Sequence, residues 1–356
     1  MNKQRGATLI IVLVVVSFMT IIATQLIEHN GFAKRRTTLM MAREQAYQLA
    51  LGGEELARNW ITKGFGKDND KVHLNQPWAT TPIEYPVEGG VIKATIEDAQ
   101  SCFNLNILNG QTRTNPNNAT RVGSGGNSSG QQKPNPNPGN PSSPGRGPND
   151  KDPGPAIFQD LLQSVLEEVE VEPSAIAAAV TDWIDEDFEP NGPDGAEDLE
   201  YTSYEMPYRA ANNLMASKSE LRIIKGVTAD VYKQIKDYIC VLPFADFFEI
   251  NVNTLSSEDG PLLKAILGDI TLSEASSLLS ERPEEGYDDG SFWGGVANAD
   301  KISPNRKKII AFKSDFFLVR LDVTLNGATF RMGSLLQRSG SKDQPFKVIT
   351  RYFGDY

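Results

Sequence analysis

Lys3-Gln-Arg-Gly6-Ala7-Thr-Leu-Ile-Ile11-Val-Leu-Val-Val-Val-Ser-Phe-Met-Thr-Ile-Ile-Ala-Thr-Gln-Leu-Ile27 opens the chain, and its reading decides the fold. From Gly6 to Ile27 there is no charge, which is the length a helix needs to cross a hydrocarbon core of about 30 Å. A secretory signal peptide has a shorter apolar core that ends in a small-x-small cleavage site. Here Ala23-Thr24-Gln25 is followed by Leu26 and Ile27, not by a polar mature start. A plain membrane anchor explains this half only. Past Ile27 no proline occurs before Pro77, and Phe32, Arg36, Leu39, Met40, Arg43, Tyr47, Ala50, Glu54, Ala57 and Trp60 recur at three-to-four spacing. The pattern predicts one helix from about residue 7 to about residue 62, roughly 80 Å long, half in lipid and half amphipathic on the water side.

The remaining composition excludes several function classes. At 356 residues there is room for two or three domains. A net charge of −11 opposes a nucleic-acid surface, which needs clustered Lys and Arg to displace counterions. Two histidines and two cysteines leave too few ligands for a zinc or iron site of ordinary composition. Two cysteines suffice for one bridge but not for a disulfide framework. Lys3 and Arg5 precede the apolar run and Lys34, Arg35 and Arg36 follow it, so flanking charge alone sets no orientation.

Beyond Trp60, Pro77, Pro82 and Pro86 break any helix, and Val91–Ile96 alternates as a strand. Residues 109–156 are Gly, Ser, Asn and Pro with few large apolar side chains, the composition of a disordered insertion. Ile157, Leu161, Leu162, Val165, Leu166 and Val169 mark one amphipathic helix, and Pro173–Ile184 marks a second. Further helices are expected to end at Gly226 and to span Thr228–Ile239. Glu249-Ile-Asn-Val-Asn-Thr-Leu255 echoes Cys102-Phe-Asn-Leu-Asn-Ile-Leu108, and each precedes a pair of short helices, Leu262–Leu267 and Ser273–Arg282 in the second copy. This is a weak internal repeat of helix-hairpin-helix type. Finally Phe317–Leu325 alternates strictly, Asn326-Gly327 signals a hairpin turn, Ala328–Leu336 answers it and Lys347–Phe353 supplies a third strand. The order implies an α+β chain: a long helix packed on an antiparallel sheet, with a helical block inserted between the strands.

The densest chemistry lies in Asp182-Trp-Ile-Asp-Glu-Asp-Phe-Glu-Pro-Asn-Gly-Pro-Asp-Gly-Ala-Glu-Asp-Leu-Glu200. Ten acidic residues fall between Asp182 and Glu205, and no Lys or Arg appears until Arg209. Glycines 192 and 195 permit turns that gather the carboxylates, and hard divalent cations take six to eight such oxygens. It is not an EF-hand, because the twelfth position counted from Asp185 is Ala196. A solvated acidic loop is the plainer reading, and against it stands the mutual repulsion of so many carboxylates beside a helix end.

The basic leader ending in Gly6, ahead of an apolar helix that continues as an amphipathic one, resembles the class III leader and spine helix of type IV pilin-like proteins. In that family a prepilin peptidase cuts after the glycine, which puts the cut between Gly6 and Ala7 and leaves Ala7 N-methylated. Pilins usually carry Glu at the fifth mature position, which here is Ile11. The pseudopilin family that commonly lacks this Glu is GspK, the K proteins of the type II secretion system. Asn104-Leu-Asn106, Leu221-Arg-Ile-Ile-Lys-Gly-Val227, Ile250-Asn-Val-Asn-Thr254, Asp182-Trp-Ile-Asp-x-Asp187 and Gly195-Ala-Glu-Asp198 are similar to stretches of the same family. The resemblance covers essentially the whole chain except the Asn/Pro insertion.

The resemblance implies a division into a cleaved leader (1–6), a transmembrane and spine helix (7–62), the first part of a pilin-like domain (63–108), the insertion (109–156), an inserted α-helical domain with helix-hairpin-helix-like subdomains (157–312) and C-terminal antiparallel strands (313–356). It implies an inner-membrane subunit with its body in the periplasm. There a structural Ca²⁺ is expected on Asp185, Asp187, Asp194, Glu197 and Asp198, and a bridge between Cys102 and Cys240; buried apolar thiols are the other reading of the two cysteines. Implied partners are the I, J and H minor pseudopilins, the major G pseudopilin, the prepilin peptidase, and the secretin or secreted substrates.

The expected function is a non-enzymatic minor pseudopilin capping the tip of the type II secretion pseudopilus, needed for its initiation and for export. A cap, with neighbours on one side only, can dispense with the Glu replaced by Ile11. A minor pilin of a true type IV pilus is the related alternative. A helix-hairpin-helix DNA-binding protein is the remote one, opposed by Leu267-Gly268-Asp269 and the acidic residues Glu284, Glu285, Asp288 and Asp289. No His-Glu-x-x-His or phosphate loop points to an enzyme.

Overall fold

The computed structural model describes residues 4–65, 71–80, 83–109, 153–167, 170–245, 249–339 and 345–354. In chain order the elements are α1 (Gln4–Gly64), β1 (Ile83–Val87), β2 (Gly90–Asp98), β3 (Phe103–Asn104), α2 (Gly154–Val165), α3 (Pro173–Ile184) and α4 (Ala229–Ile235). They continue with β4 (Ile239–Cys240), β5 (Ile250–Asn251), α5 (Gly260–Leu267), α6 (Leu272–Ser280), α7 (Asp289–Gly295), β6 (Ile310–Ala311), β7 (Phe316–Leu325), β8 (Ala328–Arg338) and β9 (Phe346–Phe353). The chain divides into two compact units: Met1–Asn69, Asn75–Glu97 and Asp315–Tyr356 form the first, and Asp70–Leu74 and Asp98–Ser314 the second.

The first unit is one long helix against a five-stranded sheet of order β1-β2-β7-β8-β9. The pairs β1–β2, β7–β8 and β8–β9 are antiparallel. Along β7, Phe317, Val319, Leu321, Val323 and Leu325 are buried while Asp322 faces solvent, as period-two alternation requires. The face of α1 that meets the sheet is mostly small: Ala42, Ala46, Ala50, Gly53, Glu54, Ala57 and Ile61 are its buried residues. Gly53 shows why, since a Cβ there would lie 2.6 Å from Leu321 Cδ2 and 3.1 Å from Ile92 Cγ2. Phe32, Leu39, Met40 and Trp60 are exposed and lie off the sheet-facing side, whereas Tyr47 of the same stripe packs edge-on to Phe330 and Phe353. Strand β1 is not legible in the sequence, because Pro86 argues against a strand interior. It sits on the sheet edge, where a missing N–H is tolerated.

Glu54 is buried in this small-residue interface and is fully engaged. It accepts from Arg351 Nε at 2.8 Å and Nη2 at 3.0 Å, from Ser334 Oγ at 2.6 Å, and from Arg58 Nη2 at 3.2 Å. Helix α1 is thereby tied to both β8 and β9.

The second unit holds a helical core in which α2 packs on α3 and α5 and buries Ile157, Phe158, Leu161 and Leu162. Two short parallel strand pairs complete it, β3 with β4 and β5 with β6. Cys102 and Cys240 are joined in a disulfide with Cα atoms 5.7 Å apart. The helix expected over Thr228–Ile239 stops at Ile235, because Ile239–Cys240 pairs with Phe103–Asn104. The segment before Gly226 is a 3-10 turn, Lys218–Ile223, closed by a capping box between Ser217 and Glu220. Most of the expected disordered insertion, residues 110–152, lies outside the described residues. At its edges Asn109 closes the turn Leu105–Asn109 and Gly154 already opens α2. The second unit starts earlier than 157, since Asp98–Asn109 packs with it.

The repeated Asn-x-Asn is used the same way twice. Asn104 Oδ1 accepts from the N–H groups of Asn106 and Leu242, and its amide donates to Phe244 O at 2.9 Å. Asn251 Oδ1 accepts from Asn253 N–H, and its amide donates to Val72 O at 3.0 Å and Ser314 Oγ at 2.8 Å. Each first asparagine catches the chain as it leaves the partner strand. Each second one makes a closed two-way pair with a distant backbone, Asn106 with Met215 and Asn253 with Tyr287. All four are buried, and a buried amide is tolerated when its donors and acceptors are satisfied.

Asp98 and Ser314 are the two ends of the long segment of this unit, and they meet. Asp98 Oδ2 accepts from Ser314 Oγ at 2.5 Å and Thr254 Oγ1 at 2.5 Å, and from the Asn251 amide at 3.2 Å; Oδ1 accepts from Gln100 N–H at 2.8 Å. Burial pushes the Asp98 carboxyl above its ordinary pKa in spite of these donors. Replacing Asp98 by Ala strands the hydroxyls and the Gln100 N–H, at about 1–3 kcal/mol for a buried group left unsatisfied. The denaturation midpoint of this unit is expected to fall by the equivalent of about 3 kcal/mol; a loss under about 0.5 kcal/mol, as at an ordinary surface site, contradicts the assignment.

Candidate metal centre

Helix α3 delivers the acidic loop. Its apolar face, Ile176, Val180, Trp183 and Ile184, is buried in the core, which leaves Asp182 buried in the last turn and Asp185 as the C-cap residue. A helix C-terminus carries partial negative charge, so carboxylates placed there are unfavourable unless something cationic or hydrogen-bonding offsets them. Asp182 is offset by the loop itself. Its Oδ1 accepts from Asn191 N–H at 3.0 Å and from the Asn191 amide at 2.6 Å, and its Oδ2 accepts from Ala196 N–H at 2.6 Å. The returning backbone passes so close that a Cβ at Gly195 would collide with the Asp182 carboxylate and the Asn191 backbone. Asp182 therefore folds the loop and is not spare for a ligand.

The loop so pinned brings Glu197 back beside the helix end. One carboxylate oxygen each of Asp185, Asp187 and Glu197 lie within 4.8 Å of one another. Ca²⁺–oxygen bonds are about 2.3–2.6 Å, so oxygens of one coordination shell are separated by up to about 5 Å, and the cluster fits a single ion. Asp185 and Glu197 are buried, and Asp185 Oδ1 and both Glu197 oxygens have no hydrogen-bond partner. The amide oxygens of Asn212 and Asn109 are likewise buried and unpartnered. Asn212 donates its amide to Asp187 O at 2.7 Å and Asn109 donates to Ile184 O at 2.9 Å, which places both beside the cluster. Burial raises the Asp185 carboxyl to about 6, with the charges of Asp187 and Asp182 adding to it. Burial raises Glu197 to about 7, and Asp182, Asp185, Asp187 and Asp198 push it the same way. Acceptors gathered without donors are what a hard cation supplies for.

Of the five ligands expected from the sequence, three are brought together and two are not. Asp194 is exposed on the loop. Asp198 opens the single helical turn Asp198–Tyr201, accepts from Ala210 N–H at 3.1 Å and faces Arg209 at 3.7 Å. Its acidity serves that turn, where a negative charge at the N-terminus is favourable. The sequence did not single out Asn212 or Asn109. Asn212 has φ 42, a left-handed conformation that Asn tolerates, and no spacing rule connects either residue to the loop.

The loop's far side is clamped by aromatics. Tyr201 is buried edge-on to Trp183 with centroids 5.4 Å apart, and Tyr208 stacks on Tyr201 at 5.2 Å. At the other end of the chain, Gly6 and Ala7 lie within α1, and Ile11 is exposed on it. From Leu9 onward α1 is long and apolar enough to cross a membrane.

The chain matches two models, each described as type II secretion system protein K, over residues 101–244 and 250–308. It is 34% identical over 361 residues to the type II secretion system protein K of Pectobacterium carotovorum subsp. carotovorum, covering 100% of this chain and 98% of that protein. It is 32% identical to the protein of the same name from Dickeya chrysanthemi, with 100% and 98% covered. Among solved structures it is similar to a chain in the crystal structure of the GspK-GspI-GspJ complex from the enterotoxigenic Escherichia coli type 2 secretion system. That likeness has a TM-score of 0.67 and 27% identity, and covers 90% of this chain and 100% of the other. Two family models in tandem, end-to-end relatives and a spine helix on an antiparallel sheet agree: the chain belongs to the type II secretion system protein K family, the GspK minor pseudopilins.

Proposed function

We propose that this pseudopilin caps the tip of the type II secretion pseudopilus and is needed for its initiation and for export across the outer membrane. The observation that carries the reading is a pilin-type helix and sheet whose strands β2 and β7 are separated in sequence by the long insertion Asp98–Ser314. A fibre built on closely packed spine helices has no room to repeat that mass in every subunit, so the subunit suits an end. Before assembly the exposed apolar stretch of α1 would hold the subunit in the inner membrane, with the body in the periplasm. Processing between Gly6 and Ala7 by a prepilin peptidase would precede extraction. GspI- and GspJ-type subunits are the direct partners in this reading, with H and the major G pseudopilin below. Deleting the gene should abolish export of the secreted proteins and leave twitching and adhesion intact. The opposite phenotype would favour a type IV minor pilin.

Asp185, Asp187 and Glu197 are proposed to hold a structural Ca²⁺, with the Asn212 and Asn109 amide oxygens available to complete its shell. The ion supplies positive charge where the loop has gathered only acceptors. Saturating Ca²⁺ at about a hundred times its Kd should stabilise the second unit by about 2.7 kcal/mol over the chelated protein. Asp185→Asn with Glu197→Gln should remove that response. Melting curves that coincide with and without Ca²⁺ would rule the ion out.

A further inference from the structure

Beside the metal centre the second unit leaves large apolar side chains in solvent: Leu199 is 87% exposed, Met206 82%, Ile223 48% and Tyr204 36%. Their chain neighbours are stitched together by side-chain contacts. Lys225 Nζ lies 3.2 Å from Glu200, next to Leu199, and Tyr204 OH donates to the other Glu200 oxygen at 3.2 Å. Tyr208 OH donates to Ile223 O at 2.6 Å. The rings of Tyr201, Tyr204 and Tyr208 pack on each other at 5.2 to 5.9 Å, with Tyr201 fully buried. The exposed residues thus stand on a rigid aromatic footing and are not the tip of a loose loop. Tyr204 is held by its neighbours, but Leu199, Met206 and Ile223 are apolar side chains left in solvent, and their character points outward, to something that covers them.

The charge around the patch says what that is. From Asp185 to Lys225 the chain carries Asp185, Glu186, Asp187, Glu189, Asp194, Glu197, Asp198, Glu200, Glu205 and Glu220 against Arg209, Lys218, Arg222 and Lys225, a surplus of negative charge. Such a field repels nucleic acid and anionic lipid, and it repels a second copy of a chain whose net charge is −11. It steers in and retains a surface of opposite sign. We propose that the face formed by Leu199, Tyr204, Met206 and Ile223 is a docking surface for a protein partner that presents apolar side chains ringed by Lys and Arg. The proposal stands whether or not the subunit sits at the fibre tip.

The test is photo-crosslinking of the full-length chain in its own bacterium, with p-benzoylphenylalanine in place of Leu199, Met206 or Ile223 in turn. Leu272, exposed on α6 of the same unit, serves as the control position. A shared protein adduct is expected from the three patch positions and not from Leu272. The crosslinked peptide should carry apolar residues flanked by Lys or Arg. Because these residues are exposed, Leu199→Ser with Met206→Ser should leave the fold intact by circular dichroism yet cut the adduct from position 223 at least tenfold. Glu189→Lys with Glu205→Lys should cut it similarly. The proposal is overturned by no adduct, by an equal adduct from Leu272, by adducts to lipid, nucleic acid or another copy, by an acidic or uncharged partner segment, or by yields that these substitutions do not move.

Discussion

Arg351→Met is expected to destabilise the sheet-bearing unit by about 3 kcal/mol, the lower end of the loss seen when one member of a buried ion pair is removed. Arg351 on β9 gives Glu54 two hydrogen bonds, while the Glu54 side chain is only 3% exposed. Removing the arginine leaves that carboxylate in the small-residue interface with Ser334 and Arg58 alone; the surviving Arg58 keeps the loss from being larger. Glu54→Gln should cost less, because Arg351 is partly exposed and recovers water. The pH dependence has a definite sign. Burial by itself raises the Glu54 carboxyl, but the hydrogen bonds of Arg351 and Ser334 and the charges of Arg351 and Arg58 outweigh it and hold it below the ordinary value. A carboxyl depressed on folding contributes stability above its unfolded pKa, about 4.3 for Glu, and loses it as pH falls through the folded value. The gap between wild type and Arg351→Met should therefore be full at neutral pH and narrow on acidification below about 4.3, and denaturation curves at pH 7 and pH 3.5 measure it. A gap unchanged between the two would show that Glu54 is not the group concerned.

Cys102→Ser with Cys240→Ser should cost the helical unit about 4 kcal/mol. The bridge closes a separation of 138 residues, and the chain-entropy model gives about 4.7 kcal/mol for a 100-residue loop, with measured bridges commonly delivering 2–4. Its position matters as much as its length. It clips β3 to β4 next to Asn104, whose side chain already holds the backbone at Leu242 and Phe244. The substituted protein should lose amide protection first in residues 103–108 and 239–244. Reduction of the wild-type protein should reproduce both effects. A midpoint that shifts by less than the equivalent of about 1 kcal/mol would mean that the asparagine clasps suffice without the bridge.

The elements legible in the sequence were those with long or strict periods. The spine helix, the helix Pro173–Ile184 and the hairpin through Asn326-Gly327 follow directly from apolar spacing, proline at a first turn and turn chemistry. The phase of the spine helix did not follow, because its contact face is recognised by small residues such as Gly53 and Ala57, which hydrophobic counting weighs lightly. Two-residue strands such as Ile239–Cys240 have no period to read and exist through their partners. In the candidate metal centre the acidic density was visible, but density does not separate roles. Asp182 folds the loop, Asp198 caps a turn, and Asp185, Asp187 and Glu197 alone converge. Glu54 looked like one more polar residue on a helix; its partners Ser334 and Arg351 lie nearly three hundred residues away, beyond any local rule.

The assignment of a working partner set is tested most directly by co-expressing the full-length chain with the I and J pseudopilins of the same bacterium and purifying on a tag carried by this chain alone. All three proteins are expected to elute together through size-exclusion chromatography in detergent, in constant ratio across the peak. Elution of this chain by itself, under conditions where I and J still pair with each other, would contradict its place in the tip assembly.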